Sequence, residues 1–98
     1  MSEADPEKPA PLAAPWQQPI DDFLAHLSVE RRLSPRTTGT YRRQLDELAR
    51  AFADAGVDGW PDVRRDQVRA AITHAHRRRL APRSLALMLA ALRSFYRW

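Results

Sequence analysis

Between Ile20 and Trp98 the apolar residues recur three and four apart, and nowhere do they alternate with polar ones over a run long enough for a strand. That spacing restricts the chain to helices. Ile20, Phe23, Leu24 and Leu27 open the pattern and predict a first helix from Ile20 to about Arg32, with Asp21 and Asp22 in its first turn, where the dipole favours negative charge. Ser34-Pro35 is a helix-start signal, because a serine oxygen caps free N–H groups and proline at the first helical position loses nothing. The second helix then carries Tyr41, Leu45, Leu48 and Phe52 on one stripe and stops at Gly56, a left-handed cap. Gly39 inside it costs about 1 kcal/mol relative to alanine. That is either tolerated or marks the close approach of a backbone or a phosphate. Asp46 is placed to pair with Arg42 and Arg50, one turn away on either side.

Asp58-Gly59-Trp60-Pro61 reads as a turn, and Asp62 to Asp66 opens a third helix whose apolar face is Val68, Ala71, Ile72 and Ala75. It gives way to Arg77-Arg78-Arg79. Pro82 restarts the chain, and Leu85, Leu89, Leu92 and Tyr96 mark the expected buried stripe of a fourth helix. From Leu85 to Leu92 that helix has no polar residue, so it either threads the centre of the bundle or offers one flank to a partner. The fold class is all-α, four helices joined by short links.

A chain of 98 residues with 44% hydrophobic content holds one modest core. Its apolar runs are far short of the ~20 residues that span a bilayer. The absence of cysteine excludes a disulfide framework and a thiolate metal site, which fits a reducing cytoplasm. Pro6, Pro9, Pro11, Pro15 and Pro19 crowd the start, so residues 1–18 are expected to form a disordered leader and residues 19–98 the domain. Trp16, the leader's one sizeable apolar group, either docks on the domain or stays loose. Glu3, Asp5 and Glu7 outweigh Lys8 in that leader, so the excess of positive charge falls on the domain, where every cation is arginine. A compact basic domain draws polyanions, nucleic acid above all, although an Arg- and Ala-rich chain also arises from genomic base composition.

Catalytic readings fail in turn. His74 and His76, two apart on a helix, point to nearly opposite sides and cannot chelate one ion together. No nucleophile elbow or glycine-rich phosphate loop is present. Tyr41 and Tyr96 fall on leucine stripes, where a core aromatic is the common case, and activating a phenol at neutral pH also needs a cluster of cationic or basic groups around it and the phosphate. No cofactor or metal is expected. Facing supplies the positive reading. Arg36, Thr40, Arg43, Gln44 and Glu47 share the side of the second helix away from Tyr41, Leu45 and Phe52, with Thr37 close by. Such side chains bond phosphate oxygens and base edges, and a helix fits a major groove. Arg83 and Ser84 stand at the start of the fourth helix, where free N–H groups favour phosphate, and Arg77, Arg78 and Arg79 add charge beside them. The alternative is a solvated charged face.

Phe23-Leu24-Ala25-His26-Leu27-Ser28-Val29-Glu30-Arg31-Arg32-Leu33-Ser34-Pro35-Arg36-Thr37, then Tyr41-Arg42-Arg43-Gln44-Leu45, resembles the opening of the Xer-type tyrosine recombinases, nearest to the XerC branch. Ser84-Leu85-Ala86-Leu87 with Ala91-Leu92-Arg93-Ser94-Phe95-Tyr96-Arg97-Trp98 is the most specific part of the likeness, which covers residues 20 to 98. The resemblance implies a four-helix, SAM-like core-binding domain that forms one half of a clamp on a double-stranded recombination site. Helices matching the second and fourth here dock in the major groove. Strand cleavage through a phosphotyrosine bond, without metal or high-energy cofactor, belongs to a separate catalytic domain that would begin where this chain stops. A binding module is therefore expected, not an enzyme, monomeric alone and cytoplasmic, with no membrane partner. Its full-length form would join a second Xer-type subunit in a tetramer that resolves chromosome dimers. The expected DNA contacts are Arg36, Thr37, Thr40, Arg43 and Gln44, then Arg83, Ser84 and Arg93, with Arg77 to Arg79 as phosphate anchors. Four positions depart from the family pattern: Met88 stands in place of a common arginine, Ala90 of a serine, Ala81 of a capping serine and Thr38 of a leucine. Met88 and Ala90 bear on the DNA face. The rival expectation is a protein-interaction module that docks another subunit through the apolar excess of the fourth helix.

Overall fold

The first helix starts earlier than its apolar repeat predicts, because one tryptophan pulls the proline-rich stretch into the core. The computed structural model describes residues 11–98, and in it α1 runs Ala14–Glu30 with Pro15 in its first turn and Pro19 inside. Trp16 is 3% exposed. Its ring packs edge-on against Trp60 at 5.1 Å, and its carbonyl accepts the Trp60 indole N–H at 3.0 Å. Burying so large a ring outweighs the helix bond that Pro19 forgoes. The expected leader boundary at residue 18 therefore falls within α1; residues 1–10 lie outside the described residues. Asp21 and Asp22 consequently sit beyond the first turn, where they accept hydrogen bonds from Gln17 and Gln18 at 3.0 and 2.9 Å.

Three more helices follow. α2 spans Pro35–Asp54, α3 Arg65–Arg77 and α4 Pro82–Arg97, with a single 3-10 turn at Trp60–Asp62 before α3. No strand occurs among the described residues, and none of their helices is long and apolar enough to cross a membrane. The start of α2 is as expected: the Ser34 hydroxyl accepts the Thr37 N–H at 3.2 Å, and Pro35 occupies the first helical position. At its end Gly56 has φ +90, Gly56 N–H donates to Ala53 and Val57 N–H to Phe52, which closes the helix in a left-handed cap and turns buried Val57 inward.

The core joins one stripe from each long helix: Ile20, Phe23, Leu24 and Leu27 of α1, Leu45, Leu48, Ala49 and Phe52 of α2, and Met88, Ala91, Leu92 and Phe95 of α4. The α4 stripe is rotated from the expected Leu85, Leu89, Leu92 and Tyr96. Phe95 fits edge-on between Phe23 at 5.4 Å and Trp60 at 4.7 Å, whereas Tyr96 is 48% exposed and donates its hydroxyl to the Trp60 carbonyl at 2.6 Å. Eight consecutive apolar residues make every stripe equally plausible on periodicity alone, and aromatic fit decides. Nor does α4 thread the centre: Ala86, Leu87 and Ala90 remain exposed. α3 is held more loosely, with Val68, Ala71 and Ile72 half-buried and only Ala75 fully so.

Charge ties α1 to α2 in an unexpected pairing. Arg42 reaches Asp21 at 2.9 Å instead of Asp46. Hydrogen bonds from Arg42 and Gln17 hold the Asp21 carboxyl below its ordinary pKa. Asp46 is left with Oδ1 buried and without a hydrogen-bond partner, and burial pushes its pKa up against the opposing pull of Arg42 and Arg50.

If Trp16 is part of the core, Trp16→Ala lowers unfolding free energy by about 3–5 kcal/mol in urea or guanidinium titration, as for a buried aromatic. A change below ~0.5 kcal/mol would mark the residue as loose.

Candidate nucleic-acid interface

The outward face of α2 carries a short preorganised array. Thr40 donates its hydroxyl to the Arg36 carbonyl at 3.1 Å and accepts from the Arg43 guanidinium at 3.2 Å. The threonine thus engages an arginine instead of offering itself freely. Arg36 and Arg43 are exposed, Thr37, Thr40 and Gln44 half-exposed. The Thr37 hydroxyl lies 3.1 Å from that of Ser34, so it is engaged in the helix cap. Among the described residues an added Cβ at Gly39 would meet only the Arg43 guanidinium, at 4.0 Å. No backbone from another described element therefore requires the glycine, and the open space beside it is on the same turn as Arg36 and Arg43.

Glu47 continues this face and joins it to the end of α3. Its carboxylate lies 3.8 Å from Arg78, with both side chains largely in solvent. Arg77 is the last residue of α3, Arg78 caps it, and Arg79 adopts φ 63. The backbone closes as in α2, with Arg79 N–H to His76 and Leu80 N–H to Ala75. A left-handed arginine costs about 1 kcal/mol or more relative to glycine. Arg32, after α1, adopts the same conformation at φ 52, and at this second such turn Arg77, Arg78 and Arg79 are all exposed.

Two residues past Leu80 the chain enters α4 without a capping side chain, because Ala81 has no oxygen to offer. Arg83 and Ser84 thus stand at a helix start whose first N–H groups have no side-chain acceptor, which suits an anionic ligand. Helical spacing sets Arg83, Ala86, Ala90 and Arg93 on the outward side of α4, all exposed, and Arg97 one turn beyond. Alanines between arginines let the helix axis approach a partner closely. Arg97 was not among the expected contacts, although its i, i+4 spacing from Arg93 places it on the same side. Met88 is a correction: at 2% exposure it is a core residue facing α2 and α3, so it has no place on a DNA face. Ala90 does occupy the outward side.

The structure therefore brings Arg36, Thr40 and Arg43 together, and Arg78 to the edge of their face through Glu47. Among the described residues no hydrogen bond or ion pair joins Arg93 to that group. Neither tyrosine is set up as a nucleophile. Tyr41 stacks on Phe23 at 6.4 Å, and burial raises the pKa of Tyr96, whose hydroxyl is already committed to Trp60. Between α2 and α3 lies an open groove of about 480 Å³ floored by Ala51, Phe52, Ala71, Ala75 and Met88.

Residues 20–98 match the family of phage integrase N-terminal SAM-like domains. The tyrosine recombinase XerC of Serratia marcescens is 44% identical over 88 residues, covering 90% of this chain and 29% of that protein. Those of Proteus mirabilis and Escherichia coli O157:H7 are 43% and 39% identical over 79 residues, covering 81% of this chain and 26% of each protein. The chain thus spans less than a third of the length of these curated relatives. No solved structure matches it.

Two substitutions separate charge from fold at this face. Glu47→Gln removes an anion and releases Arg78, and is expected to tighten duplex binding about two- to five-fold at low salt, ~0.5–1 kcal/mol for one exposed charge. Arg79→Gly is expected to raise unfolding free energy by about 1 kcal/mol while weakening duplex binding. Anisotropy and thermal melts read both, and weaker binding by Glu47→Gln would remove this surface from consideration.

Proposed function

Because the chain belongs to the phage integrase N-terminal SAM-like domain family, we propose that it is the DNA-holding domain of a Xer-type, XerC-like tyrosine recombinase. In this reading α2 lies in the major groove of a recombination half-site. Arg36, Arg43 and Gln44 reach base edges or phosphates, and Thr37 and Thr40 keep the array in place. The free N–H groups at Arg83 and Ser84, with Arg93 on the same helix, grip the backbone, and Arg77, Arg78 and Arg79 anchor phosphates between the two helices. The observation that carries this reading is the Arg36–Thr40–Arg43 array, whose two guanidiniums have no carboxylate partner among the described residues.

DNA cleavage and rejoining fall to a catalytic domain of the whole recombinase, acting in the cytoplasm on chromosome dimers together with a second Xer-type subunit. This domain contributes affinity and register without cofactor. One half of a clamp forfeits the effective concentration that the other half supplies, so binding by this domain alone is weak. A second reading has its own observation: Leu87 on α4 and Trp98 just past its end are 38% and 52% exposed, apolar surface suited to another subunit. Concentration-dependent sedimentation of the chain distinguishes a monomer from a self-associating module.

A salt titration by fluorescence anisotropy, on a Xer-type half-site and a scrambled duplex, tests the DNA reading. Tighter binding to the half-site is expected, with a log–log slope of about −3 to −6 for several neutralised phosphates. Arg36→Ala plus Arg43→Ala should abolish the preference. Equal binding of both duplexes would reduce the domain to a non-specific polycation.

A further inference from the structure

The groove residues Gln67, Ala70, Ala71, His74, Ala75 and Arg78 define the flank of α3 that faces α2. Arg65, Arg69 and His76 are absent from it. At 3.6 residues per turn they project roughly 140–180° around the helix from Arg78, in one row with Arg65 and Arg69 about 6 Å apart along the axis and His76 about 16 Å from Arg65. All three are exposed, as is Arg64 just before the helix. Arg64, Arg65 and Arg69 take part in no ion pair among the described residues. The helix start does not use their guanidiniums either: Gln67 accepts the Arg64 backbone N–H at 2.7 Å, and Asp66 supplies the negative charge that the first turn favours. Asp62 in the preceding 3-10 turn is the other nearby carboxylate in sequence.

We propose that this outer flank of α3 is a second surface for the phosphate backbone of duplex DNA, separate from the face of α2 and α4, so that one domain touches two duplex segments at once. The proposal rests on the DNA-holding reading only for the class of its partner. Separation follows from geometry, because Arg78 is drawn toward Glu47 on the α2 side while Arg65 and Arg69 point away from it. Phosphate is favoured over a protein surface by what the flank lacks. Its exposed residues are Arg65, Arg69, Thr73 and His76, with Asp66 at the edge, and Ile72, which falls in the same row, is half-buried against the core instead of standing out as an anchor of the kind that dominates protein interfaces. Arginine and threonine at this spacing suit sequence-independent backbone contacts.

Two short duplexes, one carrying a donor dye and one an acceptor, test the proposal when mixed with the 98-residue chain at low salt. Energy transfer is expected to rise with the parent chain and vanish with Arg65→Ala plus Arg69→Ala. It should return with Arg65→Lys plus Arg69→Lys, which keeps the charge. Anisotropy on a single duplex should change less than about twofold in the alanine pair, and its circular dichroism not at all. No transfer with the parent chain, or transfer unchanged in the alanine pair, would overturn the second surface. Loss of single-duplex binding in the alanine pair, with Arg36→Ala plus Arg43→Ala binding normally, would overturn both the two-surface arrangement and the α2 reading. Failure of the α2 pair alone to alter half-site preference would count against the α2 reading and leave the bridging result to stand by itself.

Discussion

Trp60 holds this bundle together. Its ring meets Trp16, Phe52, Phe95 and Tyr96, residues from three helices. Its indole N–H binds the carbonyl of Trp16, and its own carbonyl takes the hydroxyl of Tyr96. A buried tryptophan needs a partner for its N–H, and the partner chosen lies on the first turns of α1. The start of one helix and the end of another are thereby fixed to a single residue in the turn before α3. The outward directions of α2 and α4, and so of their arginines, follow from which stripes this aromatic cluster draws inward.

The same cluster explains what was legible in the residues and what was not. Four helices, the Ser34 cap and the Gly56 stop follow from local chemistry, and all are present. The early start of α1 was hidden, because proline content speaks for the isolated chain whereas Trp16 is decided by a contact 44 residues away. The rotation of α4 was hidden for a different reason. An unbroken apolar run has no preferred side until Phe95 finds Phe23 and Trp60. Met88 moved from the expected DNA face to the core as part of that rotation. Among the candidate site residues, the face of Arg36, Thr40 and Arg43 was readable from helical spacing. The engagement of Thr37 with Ser34, the capture of Arg42 by Asp21 and the left-handed backbone of Arg79 required tertiary geometry.

The polar surface is organised by subtraction as much as by display. Arg42 is withdrawn into an interhelical pair and Arg78 is partly neutralised by Glu47, whereas Arg36 and Arg43 meet no carboxylate among the described residues. A carboxylate at the edge of a cationic face limits how tightly any polyanion is held.

The groove beside α3 has a consequence of its own. Its floor is largely alanine, and the helix above it fully buries one small side chain, so the free energy resisting local opening is lower there than in α1, α2 or α4. Backbone amides of α3 should therefore exchange with solvent deuterium ahead of those in the aromatic core, through an opening that leaves the other three helices intact. The least cohesive element of the bundle thus links the polar face of α2 to the start of α4. Any ligand that clasps its arginines would be recorded first as slowed exchange along α3.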